Sequence, residues 1–326
     1  MKVIIPAAGF GSRLRPHTFT TPKVLLPVAG KPILEHIINQ VMSFGADQIT
    51  IIHGHLGEQI EKFVKGRYEI AIDFRLQERP LGLGHAIYLG LDNDDKELLV
   101  ILGDTILDLE LDEVVKRGVT ALGVKEVADP RKYGVVVAED GRVSRLVEKP
   151  LVPPSNLAIV GAYYIRDARV LRKAIKETMD KDITVKGEFQ ITDALQLMLE
   201  SGEKFETFPV SGWYDCGKPE TLLATNKFLL GKNSTNPVSS DDIKDSIIIQ
   251  PVYLGKGTKI TRSVIGPNVS IGDGCQITGV IMDNSVIGDR VSLENIVIGD
   301  TIIGKRAELA GSRQNINLGA STMLKL

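Results

Sequence analysis

Cysteine is nearly absent: Cys216 and Cys275 are the only two in 326 residues. They are too few for a disulfide framework and have no metal-ligand spacing, which is the usage of a reducing compartment. An excess of charge of either sign is also missing, with 39 Lys plus Arg against 41 Asp plus Glu and a net charge of -2. That balance provides no broad basic field for nucleic acid or an anionic membrane, so a phosphate ligand has to be held by a local constellation. No run approaches the ~20 apolar residues of a membrane span. The opening MKVIIPAAGFGSRLRP reaches Gly9 too early for a signal-peptide core. The expectation is a soluble, cytoplasmic protein with no nucleic-acid or membrane partner. Histidines are few, namely His17, His36, His53, His55 and His85. None forms a convincing Ser-His or Cys-His arrangement, so a side-chain nucleophile is not expected. His53 and His55 read as loop residues and Cys216 as a small packing residue.

What is present has the balance of a globular chain, 43% hydrophobic and 25% charged, at a length that suggests two domains. Strand-like runs at 3–5, 49–53, 70–76 and 98–102 alternate with helical periods at 31–44, 56–65 and 84–91. In the first helix Ile33, Leu34, Ile37, Ile38, Val41 and Met42 form one stripe, and Gly45 stands where a C-terminal cap belongs. Alternation of this kind predicts an α/β, Rossmann-like domain with a mostly parallel sheet and helices on both faces. Asp140-Gly141 marks a hairpin, and further helical periods at 168–178, 191–200 and 220–229 extend the domain over residues 1–231. A polar, turn-rich stretch at 232–245 reads as a linker.

From 246 to 326 the period changes. Leu254-Gly255, Ile265-Gly266, Ile271-Gly272, Ile287-Gly288, Ile298-Gly299 and Ile303-Gly304 repeat an aliphatic-Gly pair, and six-residue steps from these reach Ile260, Ile271, Ile277, Leu293 and Leu309. One inward aliphatic residue per short strand, stacked along a prism, predicts a short parallel β-helix of hexapeptide repeats. Met323, Leu324 and Leu326 suggest a capping tail.

The chemistry concentrates early. Pro6-Ala7-Ala8-Gly9-Phe10-Gly11-Ser12-Arg13 follows a buried strand, at the edge where open parallel sheets bind ligands. Gly9 and Gly11 let the backbone approach a phosphate, Arg13 adds a forked cation, and Lys23 of Thr21-Pro22-Lys23 adds a point charge. Leu14 stands where a dinucleotide loop needs its third Gly, and no P-loop string occurs.

AAGFGSRLRP…TPK resembles the signature of the sugar nucleotidyltransferase family. PLGLGHAIY, LGDT, YGVVVAEDG, LVEKP, PPSNLAIVGAYYI, GEFQITDA and GWYDCGKPE follow in that family's order. The chain is most similar to the long-form glucose-1-phosphate thymidylyltransferases, which carry a C-terminal left-handed β-helix. The resemblance implies Mg²⁺-dependent transfer from a nucleoside triphosphate, dTTP favoured, to a sugar 1-phosphate, glucose 1-phosphate favoured, in a homo-oligomer. It implies Arg13, Lys23, Asp104 and Asp215 as catalytic residues, the two aspartates holding the metal. Ala8, Gly9, Gly11, Ser12, Gln77 and Gly82 would bind nucleotide. Tyr133, Gly134, Glu148, Lys149, Asn156 and Gly161 would line the sugar-phosphate pocket.

Three rivals stand beside this reading. UTP differs from dTTP at the base by one methyl, worth only about 1–3 kcal/mol in a pocket. An acyltransferase β-helix would want a base such as His, and every histidine lies in the first domain. A non-catalytic scaffold would have no need of Arg13, Lys23, Asp104 and Asp215, yet all are present.

Overall fold

The computed structural model describes residues 1–232 and 242–312. Most of the linker, and the tail read as a cap, lie outside the described residues. Two compact units separate: Met1–Leu26 with Lys31–Thr225, and Pro27–Gly30 with Asn226–Leu326. The sequence divides the chain after residue 231. The contacts divide it at Asn226 and lend the turn Pro27–Gly30 to the second unit. Asn226 explains both shifts. Fully buried, its Oδ1 accepts from the Ala29 N–H at 2.8 Å and the Ser270 hydroxyl at 2.6 Å, and its Nδ2 donates to the Asn268 carbonyl at 3.1 Å.

In chain order the strands before the linker are β1 (Lys2–Pro6), β2 (Pro27–Val28), β3 (Lys31–Pro32), β4 (Gln48–His53), β5 (Ala71–Leu76), β6 (Leu98–Ile101) and β7 (Thr105–Asp108). There follow β8 (Thr120–Glu126), β9 (Gly134–Glu139), β10 (Arg142–Glu148), β11 (Leu157–Ile165), β12 (Phe205–Pro209) and β13 (Gly212–Asp215). The helices are α1 (Ile33–Ser43), α2 (Gly57–Val64), α3 (Leu83–Gly90), α4 (Asp112–Arg117), α5 (Ala168–Asp180), α6 (Ile191–Glu200) and α7 (Pro219–Lys232).

Nine strands form the main sheet in the order β5-β4-β1-β6-β11-β8-β12-β10-β9. The first four are mutually parallel, as the strand-helix alternation requires. In this sheet only β10 and β11 run against the rest. The expected hairpin joins β9 to β10, with Asp140 and Gly141 both at positive φ, the backbone of a primed two-residue turn. α1 buries Ile33, Leu34, Ile37, Ile38 and Val41. Met42, expected in that stripe, is 37% exposed, because one step past Val41 turns it off the buried face. His53 is also corrected: it ends β4, buried, with Nε2 2.8 Å from Glu61 Oε1.

The parallel strands set the site. Their carboxyl ends lie side by side, and backbone bonds lace the loops that leave them. Ala7 N–H donates to Ile52 O at 2.7 Å, Gly103 N–H to Pro6 O at 3.0 Å, and Gln77 N–H to His53 O at 2.8 Å. The loop after β1, Asp104 after β6 and Gln77 after β5 are thereby drawn to one edge of the sheet.

In the second unit, short parallel strands stack as three sheets. One inward ladder runs Ile260, Ile277, Leu293, Leu309; a second runs Ile265, Met282, Ile298; a third runs Ile271, Ile287, Ile303. This is the expected hexapeptide β-helix, with one refinement. Six residues separate Ile271 from Ile277 and Ile287 from Leu293, but only five separate Ile260 from Ile265 and Ile277 from Met282. The aliphatic-Gly pairs have a steric cause. A Cβ on Gly272 would lie 2.5 Å from Asp289 Oδ1 and 2.8 Å from the Gly288 carbonyl carbon of the next coil. Each coil's corner sits directly on its neighbour's, and only glycine leaves room.

Gly272→Ala is therefore expected to destabilise the second unit by about 1–3 kcal/mol through overpacking. Gly231→Ala, where a Cβ meets nothing within 4 Å, should be neutral or slightly stabilising. Urea melts of both variants check the contrast; equal stability would remove the corner-stacking argument.

Candidate active site

Two cavities meet at the carboxyl edge of the sheet, both lined by first-unit residues. One, of about 280 Å³, is lined by Ala8, Gly9, Lys23, Gln77, Gly82 and Asp104, with apolar walls from Leu83, Ala86 and Leu102. The other, of about 360 Å³, holds Arg13, Tyr133, Gly134, Glu148, Lys149, Gly161 and Asp215. Asp104 lines both, with Leu83 and Leu102. The structure thus brings together most of the residues singled out in the sequence and sorts them into the two expected groups, around one shared carboxylate.

Three of those residues line neither cavity. Gly11, at φ 62°, packs behind the loop against Thr18 and Lys23 and accepts from the Thr18 hydroxyl at 2.9 Å. Ser12, exposed, opens the short turn Ser12–Leu14, which buries Leu14. Asn156 is exposed, and its carbonyl accepts from Val127 N–H at 3.0 Å. The reason is local in each case: the loop turns at Gly11, and Asn156 precedes β11 at the outer rim. Arg13, expected beside a triphosphate, lies on the second cavity's wall. A Cβ on Gly217 would lie 2.8 Å from both its Nη2 and Asp215 Oδ1.

The two aspartates meet for a topological reason. β7 pairs antiparallel with β13, setting Asp215 opposite Thr105, one residue from Asp104. The Cys216 N–H then donates to the Asp104 carbonyl at 2.9 Å. Burial, and next the Asp104 charge, hold the Asp215 carboxyl above its ordinary range, against the pull of Lys23 and Arg13. The buried Lys23 ammonium pairs with Asp104 Oδ2. Among the described residues no group of three or more His, Cys, Asp or Glu converges to enclose an ion. Two crowded carboxylates suit a hard divalent cation that takes its remaining ligands from water and substrate phosphates, so this donor set fits Mg²⁺. Cys216 is packed away as expected, its thiol pushed up to about 12 by burial.

The second cavity has a polar floor. Glu148 is buried, paired with Lys149 Nζ at 2.8 Å and accepting from Thr192 Oγ1 at 2.7 Å. Lys149 is held at φ 41°, a sparsely populated conformation that aims its side chain back to Glu148. Trp213 lines this cavity and meets Tyr133 edge to face, with centroids 4.8 Å apart. Sequence reasoning missed Glu188, Gln190, Thr192, Lys132 and Lys218, which also line the cavities. The GEFQITDA string was the available signal for the first three. Its Phe189 brackets the Leu81–Gly84 loop, donating to Leu81 O and accepting from Gly84 N–H, both at 2.8 Å. Gly82, at φ 104°, sits under that bracket, where a Cβ would come within 2.5 Å of Phe189 O.

Comparison with known proteins agrees with this arrangement. The family described as Nucleotidyl transferase matches residues 2–232. The chain belongs to that family. A GlmU-like, C-terminal hexapeptide family matches residues 232–310 of this nucleotidyltransferase. Similar relatives include the low-salt glycan biosynthesis nucleotidyltransferase Agl11 of Haloferax volcanii, 33% identical over 88% of this chain and 87% of that one. A glucose-1-phosphate thymidylyltransferase of Streptomyces antibioticus is 31% identical over 88% of this chain and 86% of that protein. Among solved structures, a UDP-glucose pyrophosphorylase complexed with UDP-glucose aligns with a TM-score of 0.63 at 27% identity, covering 71% of this chain and 99% of that one. The nucleotidyltransferase is thus a member of the sugar-1-phosphate nucleotidyltransferase group. None of its described helices is long and apolar enough to cross a membrane.

The crowding at Asp215 makes a stability prediction. A carboxyl whose folded pKa is raised penalises the folded state above that pKa, and the penalty fades as pH falls below the unfolded carboxylate range. Asp215→Asn is expected to melt higher than the parent at about pH 7 with metal chelated, the gap closing towards the acid carboxylate range. Calorimetry in EDTA decides it, and a lower melting temperature for the variant throughout would show that the carboxylate is not repelled.

Proposed function

We propose that this enzyme transfers a thymidylyl group from dTTP to glucose 1-phosphate, releasing pyrophosphate. The observation that carries the reading is Asp104 on the wall common to two cavities, one lined by Gly9, Lys23 and a buried amide, the other by Glu148, Lys149 and Arg13. Two polyanionic substrates seated there would meet at the Asp104–Asp215 pair. A phosphate oxygen of the sugar phosphate bonds to the α-phosphorus of the nucleotide. The bond from that phosphorus to the oxygen bridging to the β-phosphate breaks, and pyrophosphate leaves with its electron pair. The attacking monoester is already ionised, so no protein nucleophile and no proton transfer are needed.

The residues supply position and charge. Lys23 neutralises the nucleotide's phosphates, and Arg13 stabilises charge at the reacting centre from the other cavity. Lys149 holds the sugar phosphate's phosphate, while Glu148, fixed by Thr192, accepts from sugar hydroxyls. Asp104 and Asp215 would hold Mg²⁺, which when bound offsets the repulsion between substrates and the charge on departing pyrophosphate. dTTP is preferred because similarity to a thymidylyltransferase spans 88% of the chain. UTP remains the second reading, supported by the likeness to a UDP-glucose pyrophosphorylase.

The test is a matrix of five nucleotides against several sugar 1-phosphates, following pyrophosphate. dTTP with glucose 1-phosphate should give the highest kcat/KM, and Asp104→Asn should lower it by at least about a thousandfold at unchanged melting temperature. Full turnover by Asp104→Asn at limiting Mg²⁺ would remove Asp104 from the centre.

We further propose that the second unit serves assembly of a homo-oligomer. One outward ladder on its flat face is aliphatic and in register, Ile247, Val264, Ile281 and Val297, and three of the four are 62%, 51% and 75% exposed. Truncation after Leu230 should alter the oligomer in light scattering yet leave measurable transferase activity. Loss of Ser270, Asn268 and Tyr253 from the Pro27–Gly30 turn should lower that activity without abolishing it. A folded but wholly inactive remnant would show that the second unit contributes to the site.

A further inference from the structure

In the smaller cavity Gln77 is held by His85, a residue to which no role has been assigned. Gln77 ends the run of β5 almost fully buried, its backbone clamped to His53 O. Its amide nitrogen lies 3.1 Å from the Gly82 carbonyl and 3.0 Å from His85 Nδ1. A backbone carbonyl only accepts, so the atom facing Gly82 is the NH₂ end of the carboxamide. One of its hydrogens goes to Gly82. The other goes to His85 Nδ1, which must accept, so the imidazole is neutral and carries its proton on Nε2. Burial also lowers the His85 pKa, which favours that neutral form. Both donors of Gln77 are then engaged within the protein. Oε1 is the only polar group this side chain has left for a ligand in the cavity it lines.

We propose that His85 is a positioning residue for nucleotide choice: it fixes the Gln77 carboxamide with its oxygen towards the cavity, selecting pyrimidines whose Watson–Crick edge offers a ring N–H. This rests on the function proposed above, with the nucleotide's base seated in the apolar-walled cavity between Gln77 and Leu83. Uracil and thymine carry a hydrogen on N3 and meet the fixed acceptor. Cytosine presents a bare N3, so acceptor faces acceptor and both are left desolvated and unpaired. If the amide were free to turn, it could offer NH₂ to cytosine. His85 and Gly82 together prevent the turn, because reversal would set the amide oxygen against the Gly82 carbonyl. Selection is therefore set by a residue on α3 that acts through Gln77.

Steady-state kinetics with dTTP, UTP and CTP test this on the full-length enzyme and three variants. The parent should use dTTP and UTP far better than CTP. His85→Ala should reduce the dTTP:CTP ratio of kcat/KM by about tenfold or more, mainly through KM, with a much smaller change in kcat for dTTP. His85→Phe keeps bulk without an acceptor and should behave alike, which guards against a folding defect in the alanine variant. His85→Gln, whose carbonyl can accept from the Gln77 amide, should restore most of the ratio. An unchanged ratio in both His85→Ala and His85→Phe would overturn the inference, as would failure of folded His85→Gln to recover it. Preference of the parent for CTP would overturn the base reading itself, and that shows before any variant is made.

Discussion

Everything in the first unit is arranged around two carboxylates that repel one another. Pairing of β7 with β13 holds Asp215 beside Asp104, and burial strengthens their mutual repulsion. Such a pair is tolerable only with positive charge nearby, and two pieces of chain supply it. The loop after β1 brings Arg13, and the turn after it brings Lys23, buried against Asp104. The net charge of the molecule is almost nil, yet this small volume contains a tight alternation of sign. That alternation would suit reaction between two polyanions, with the cations available to phosphates and the carboxylates to a hard cation.

The two cavities are mechanically one object. The segment from Glu188 to Thr192 passes behind both, with Glu188 on the smaller and Gln190 and Thr192 on the larger. Its Phe189 backbone braces the Leu81–Gly84 loop on one side, while the Thr192 hydroxyl anchors Glu148 on the other. A shift of α6 would therefore disturb both walls together.

Legibility from sequence followed the range of the cause. The inward ladders of the β-helix were visible because one coil's steric need recurs in every coil. Asp104 and Asp215 were visible as short strings that end strands. What stayed hidden depended on partners far along the chain. Thr192 reads as an ordinary helix residue until Glu148, 44 positions away, is placed beside it. His53 reads as a loop residue until Glu61 of α2 is seen to pair with it. Gly11, Ser12 and Asn156 lie within the motifs themselves, yet line neither cavity. The five-residue corners of the β-helix were obscured by the six-residue steps around them.

Among the described residues, both cavities are lined by the first unit. Yet Lys23 lies in the short turn Lys23–Leu25, and the chain enters Pro27–Gly30 directly afterwards. That turn is fixed by Asn226, with Ser270 and Asn268 completing its hydrogen bonds and the Tyr253 ring covering Gly30. A fully buried asparagine with every polar atom bonded holds a single geometry, since any alternative leaves a desolvated amide unpaired. Asn226, 197 positions downstream of Ala29, thus limits the freedom of the Pro27–Gly30 turn.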